Sequence, residues 1–161
     1  MNASTRNLYL RAAGLGVMTG MRSQAGIWLM VLRANMEPAA FRGTWLGWLG
    51  YRPVLAFFSL LEIGELIVDK TSLLPNRIAP GPLLGRVQAG AFAGAAAFIE
   101  EDRPALLGAA IAAGGAVASS YLFYYLRREA VRRTGLPDVV VALGEDAALA
   151  GIGLAVMQTY E

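Results

Sequence analysis

Apolar residues along the chain gather into long blocks, separated by short clusters of proline, glycine and charge. A helix that crosses a bilayer needs about 20 mostly apolar residues, within a range of about 17–25. Blocks at residues 8–32, 53–68, 83–99, 105–126 and 139–158 are read as such helices, the first either continuous or broken near Gly20. Between them stand Glu37-Pro38 and the stretch 43–50, then Pro75 and Pro80-Gly81-Pro82, then the run Glu100-Glu101-Asp102-Arg103-Pro104, and finally Gly135-Leu136-Pro137. All are strong helix punctuation. Pro53 suits the first turn of a helix, where a missing N–H is harmless. Trp45, Trp48 and Tyr51 mark an interfacial loop at headgroup level. The expected fold is all-α: a polytopic transmembrane helix bundle of about five spans, a single transmembrane domain over residues 1–161.

Small residues recur at helical spacing within the blocks. Gly16 and Gly20 form one G-x-x-x-G, and Gly90 and Gly94 another. Gly108, Ala112, Gly115 and Ser119 share a face of the fourth block, as do Gly144, Ala148 and Gly151 of the fifth. Such rows let helix backbones approach closely where lipid supplies no hydrophobic drive between helices. The first and fourth blocks also open alike, with Leu10-Arg11-Ala12-Ala13-Gly14 and Leu107-Gly108-Ala109-Ala110. Each precedes a block with an acidic cluster, so blocks 1–2 and 4–5 are expected to form an inverted-topology repeat.

Composition agrees with a membrane protein. Of 161 residues, 56% are hydrophobic and 16% charged, and the mean hydropathy is +0.48. Soluble domains carry about 25% charged residues. Cysteine and histidine are absent, which excludes a disulfide framework, thiolate or imidazole metal sites, and Cys or His catalysis. No metal site or cofactor is expected, and no enzyme: Ser23 has no histidine base. The pI near 9.2 does not indicate nucleic acid, because the basic residues are scattered through short loops with no basic helix face. The first apolar block lacks a small-x-small cleavage site and reads as a retained helix.

With five spans, Arg6, Arg11, Lys70, Arg77, Arg127, Arg128, Arg132 and Arg133 fall on one side of the membrane, and Arg33, Arg42, Arg52 and Arg103 on the other. The positive-inside rule then places the N-terminus of a multi-pass membrane protein in the cytoplasm. Its partners are expected to be the lipid bilayer and, given thin helices with small-residue seams, a second copy as a homodimer.

The residues most informative about function are the charges inside the apolar blocks. Arg22 and Ser23 interrupt the first. Glu62, Glu65 and Asp69 stand at i, i+3 and i+7 of the second, on one face. Arg86 begins the third, and Glu145 and Asp146 lie in the fifth. A charge at the bilayer centre costs about 2.5–3.5 kcal/mol on the insertion scale. Five unpaired charges would exceed the whole stability of a small domain, so they must pair, face inward or line water. Arg22 is expected to pair with Glu62 or Glu65. Arg86 or Lys70 is expected to serve Glu145, Asp146 or Asp69. Crowded carboxylates of this kind are suited to a proton-coupled step.

Gly20-Met21-Arg22-Ser23, Glu62-x-x-Glu65-x-x-x-Asp69-Lys70 followed by Pro75, Gly108-Ala109-Ala110 and Glu145-Asp146 together resemble the bacterial membrane family called domain of unknown function 4126, over nearly the whole chain. The resemblance implies a compact multi-helix inner-membrane protein and no particular activity. The present chain has shorter loops. Glu65-Leu66-Ile67-Val68-Asp69-Lys70-Thr71 also looks like the E-x-G-D-K-T signature of cation/proton exchangers. Val68 replaces its glycine, however, and the Glu-to-Asp spacing is one residue longer. The expected function is a small-solute or ion transporter or channel with a buried Arg/carboxylate site. The alternatives are a structural or assembly protein whose charges lock helix packing, a proton-coupled divalent-cation exchanger, and a lipid-phosphate handling protein.

Overall fold

The structure is a computed structural model that describes residues 3–68 and 78–160. Among the described residues six helices follow one another: α1 (Ala3–Met21), α2 (Ala25–Met36), α3 (Arg52–Val68), α4 (Pro80–Glu100), α5 (Ala105–Thr134) and α6 (Asp138–Gln158). A single 3-10 turn, Gly47–Gly50, precedes α3. The breakers act where expected. Pro80 opens α4, while Pro104 and Pro137 immediately precede α5 and α6. Gly135 ends α5 in the left-handed region at φ 66°, its N–H donating to the Val131 carbonyl at 3.0 Å. Glycine adopts that conformation without steric cost.

The first expected span is the broken one of the two forms the sequence left open. Residues 8–32 do not form one helix. The chain breaks at Arg22-Ser23-Gln24, and α2 turns back beside α1, with Gly26 seated against Thr19 and Leu15. Three consecutive polar residues in an apolar block, with partners reaching in from other helices, favour the break over continuation. At 12 residues, α2 measures about 18 Å and is too short to cross a bilayer core of about 30 Å. Among the described residues, α4, α5 and α6 are the three helices long and apolar enough to cross a membrane.

The fold-back changes the topology. Arg11 in α1 reaches both Glu101 after α4 and Thr159 after α6. The start of α1, the α4–α5 turn and the end of α6 therefore share one end of the bundle. Arg6 and Arg11 join Arg33, Arg42, Arg52 and Arg103 there, which removes the asymmetry that set the expected orientation. Gly16 packs on Ala112 and Gly20 on Ala116, so α1 and α5 run in the same direction. An inverted repeat requires them to run oppositely, and this geometry does not supply one.

The core is the trio α1, α4 and α5, joined through small residues. A methyl on Gly94 would run into the Gly108 carbonyl, and one on Gly16 into the Ala112 carbonyl. These are the seams that the spacing predicted. The fifth block's row behaves differently: Gly144 and Gly151 face open space, and Ala148 is exposed. The loop before α3 is more than an interfacial strap. Phe41, Leu46 and Leu49 are buried, and Trp45 and Trp48 lean on Phe92. Large apolar side chains face outward, with Leu60 of α3, Leu106 of α5 and Leu154 of α6 exposed by 69%, 82% and 67%. Small residues inside and large apolar ones outside is the arrangement of a bundle surrounded by lipid.

Candidate functional site

Two interrupted helix ends meet at the tip of the α1–α2 hairpin. The C-terminus of α1 presents unpaired carbonyls, and the N-terminus of α2 presents unpaired N–H groups. Water satisfies such groups at a surface, but in a bundle interior the protein must do so. Arg86 of α4 supplies one cap, donating from Nη1 to the carbonyls of Gly20 at 2.7 Å and Met21 at 3.1 Å. Ser120 of α5 adds a bond from Oγ to the same Gly20 carbonyl at 3.2 Å. Glu65 of α3 supplies the other cap. Its carboxylate accepts from the Ser23 N–H at 2.9 Å, the Ser23 hydroxyl at 2.6 Å and the Gln24 N–H at 3.3 Å. A carboxylate at a helix N-terminus and a guanidinium at a C-terminus both complement the helix dipole. Arg86 and Glu65 also face each other at 3.7 Å.

Arg22 leaves the hairpin in a different direction. Its guanidinium binds Asp146 of α6 closely and Glu62 of α3 at 3.4 Å. Glu62 Oε2 is buried and accepts no hydrogen bond among the described residues. Arg22 thus lies between two carboxylates and favours Asp146. All three side chains are at least four-fifths buried.

Most of the expected residues converge here: Arg22, Ser23, Glu62, Glu65, Arg86 and Asp146. The pairing differs in part from expectation. Arg22 takes Glu62 as expected, but Asp146 also goes to Arg22, and Arg86 goes to Glu65. Glu145 lies apart, facing Arg127 of α5 at 3.6 Å. Adjacent residues on a helix point about 100° apart, so Glu145 and Asp146 cannot share a target. Asp69 lies outside the described residues.

A second polar cluster, not expected from the sequence, closes the opposite end of the hairpin. Two guanidiniums lie over the Tyr160 ring, Arg11 at 3.8 Å and Arg33 at 4.5 Å from its centroid. Arg33 also pairs with Glu100 at 3.0 Å, and Arg11 donates to the Thr159 carbonyl at 2.6 Å. The only sequence signal was Arg11 within the first apolar block and Arg33 just beyond its end.

No group of three or more acidic side chains arranged to hold a metal ion occurs among the described residues. What the hairpin tip offers is a guanidinium that two carboxylates compete for, beside a buried oxygen able to take a proton. Comparison with known proteins finds no matching family model, no similar curated protein and no similar solved structure.

Proposed function

We propose that this chain is a small-solute or ion transporter or channel of a bacterial inner membrane, with Arg22, Glu62 and Asp146 as its ion-coupling site. The observation that carries the proposal is the Glu62 Oε2 oxygen, buried and without a hydrogen bond beside Arg22 at the tip of a broken helix. Broken helices at membrane depth are tolerated where protein encloses them or a cavity needs them, and transporters build their sites from such ends. A proton or cation on Glu62 would weaken its hold on Arg22 and leave the guanidinium to Asp146. The resemblance to the domain of unknown function 4126 family, with Arg22 and both acidic motifs in its pattern, belongs to the same proposal.

The test is flux through proteoliposomes that report proton and small-ion movement. Wild type is expected to dissipate an imposed gradient, with a pH dependence that Glu62→Gln abolishes while helix content is unchanged. Equal flux from both proteins, for every ion tried, would overturn the proposal.

A structural or assembly role is the second reading, and Arg86 and Glu65 favour it, since each caps a helix end. A Glu62→Gln protein that melts earlier, from a wild type that moves nothing, would select it.

A further inference from the structure

Helix α5 is longer than a bilayer needs. Its 30 residues, Ala105–Thr134, extend about 45 Å against a hydrocarbon core of about 30 Å. The apolar portion, residues 105–126, accounts for the core. About two turns, residues 127–134, must therefore project beyond it. They contain Arg127, Arg128, Arg132 and Arg133 with one acid, Glu129.

These side chains divide between two directions. Arg127 turns inward to Asp138 at 2.6 Å and to Glu145 at 3.6 Å. Arg128 and Arg132 turn outward on the stripe that begins with Tyr121 and Tyr125, at i, i+4, i+7 and i+11. Tyr121 and Tyr125 are exposed, and so are Leu122 and Leu126 beside them. Tyr125, Arg128, Glu129 and Arg132 line an open recess of about 410 Å³. Glu129 is bound by Arg132 at 2.7 Å and by Arg133, so Arg128, Arg132 and Arg133 together outnumber the one acid among them. Arg128 makes no ion pair among the described residues.

We infer that this recess binds the headgroup of an anionic glycerophospholipid. The order along the helix matches the ligand. Leucines and tyrosine rings alternate over residues 121–126, at the outer edge of the apolar portion where tyrosine is favoured, and the guanidiniums follow at phosphate level. Guanidinium is the cation best shaped to grip a phosphodiester with two parallel hydrogen bonds. A soluble acidic peptide would match the charge but would leave the exposed leucines and tyrosine rings without partners. The inference depends on the chain being embedded in a membrane and is independent of whether it transports.

The test places the purified full chain in nanodiscs of phosphatidylcholine with a minority of phosphatidylglycerol and reads retained lipid by native mass spectrometry. Wild type is expected to retain phosphatidylglycerol selectively. Arg128→Ala with Arg132→Ala is expected to lower that affinity about thirtyfold, roughly fivefold per arginine. Arg42→Ala with Arg52→Ala removes equal charge from the other end and is expected to leave it unchanged. Arg128→Gln alone, at a residue with no ion pair to lose, gives the same reading at about fivefold if the double variant is unstable. Selectivity that survives the Arg128 variants, or falls equally with the Arg42 and Arg52 pair, overturns the inference. A wild type that incorporates into nanodiscs without selectivity overturns it and leaves the transport proposal standing. A chain monodisperse in buffer without detergent overturns both.

Discussion

Replacing Arg86 with methionine tests whether the hairpin depends on its caps. The substitution keeps side-chain bulk and removes the guanidinium that donates to the Gly20 and Met21 carbonyls. A hydrogen bond from a charged donor contributes about 1.5–3 kcal/mol. Two are lost, although Ser120 still serves Gly20. Glu65 loses a facing charge at 3.7 Å. The two bonds together are worth about 3–6 kcal/mol, and removing one partner from a buried ionic contact typically costs about 3–5 kcal/mol; the two figures describe overlapping losses, so the expected loss is about 3–6 kcal/mol. A domain of ordinary stability, about 5–15 kcal/mol, would remain folded but weakened. Unfolding in mixed micelles by SDS titration, followed by far-UV circular dichroism, measures the loss. Arg132→Met, at an exposed pair, is the control and is expected to show no change. An Arg86→Met loss below about 1 kcal/mol, the worth of a surface pair, would refute the capping role.

Three other outcomes are expected. Gly94→Ala places a methyl against the Gly108 carbonyl and should lower stability by about 1–3 kcal/mol, while Gly151→Ala, facing open space, should be neutral in the same melts. The chain contains no cysteine, so single cysteines report topology cleanly: Ser4→Cys and Arg103→Cys should label from one face of the membrane and Thr134→Cys from the other. Labelling of Ser4→Cys from the face opposite Arg103→Cys would restore a continuous first span. Burial, and next the charge of Glu100, push the Tyr160 hydroxyl above the ordinary tyrosine value of 10.0, against the two guanidiniums. As pH rises past that value the unfolded chain releases its proton first, so stability should fall there. Absorbance titration of wild type against Tyr160→Phe should show no phenolate difference until unfolding begins.

How much of this could be read from the sequence depends on the range of each signal. Gly16/Gly20, Gly90/Gly94 and Gly108/Ala112 were visible because small residues at four-residue spacing have one main use in apolar helices. Prolines and Gly135 marked the ends of α4, α5 and α6 for equally local reasons. The burden of a charge in an apolar block likewise made Arg22 and Glu62 conspicuous. The hairpin was not visible, because three polar residues are averaged away in a 25-residue block, and their partners lie on other helices. Periodicity places Glu145 and Asp146 on a helix but not the direction that helix turns, which separated them. The same ambiguity made the row Gly144, Ala148 and Gly151 read as an internal seam.

The hairpin also constrains how the protein is made. Its tip binds Glu62, Arg86 and Asp146, and these partners stand 40, 66 and 124 residues further along the chain. A ribosome delivers them in that order, long after Arg22 has emerged. Until α6 is synthesised, Arg22 lacks its closest carboxylate, and until α4 arrives the end of α1 has no guanidinium cap. The α1–α2 turn therefore cannot reach its final state until α6 has been made. Whatever the nascent first segment does on leaving the ribosome, it must be refolded against helices formed after it, so maturation of the tip waits on α6.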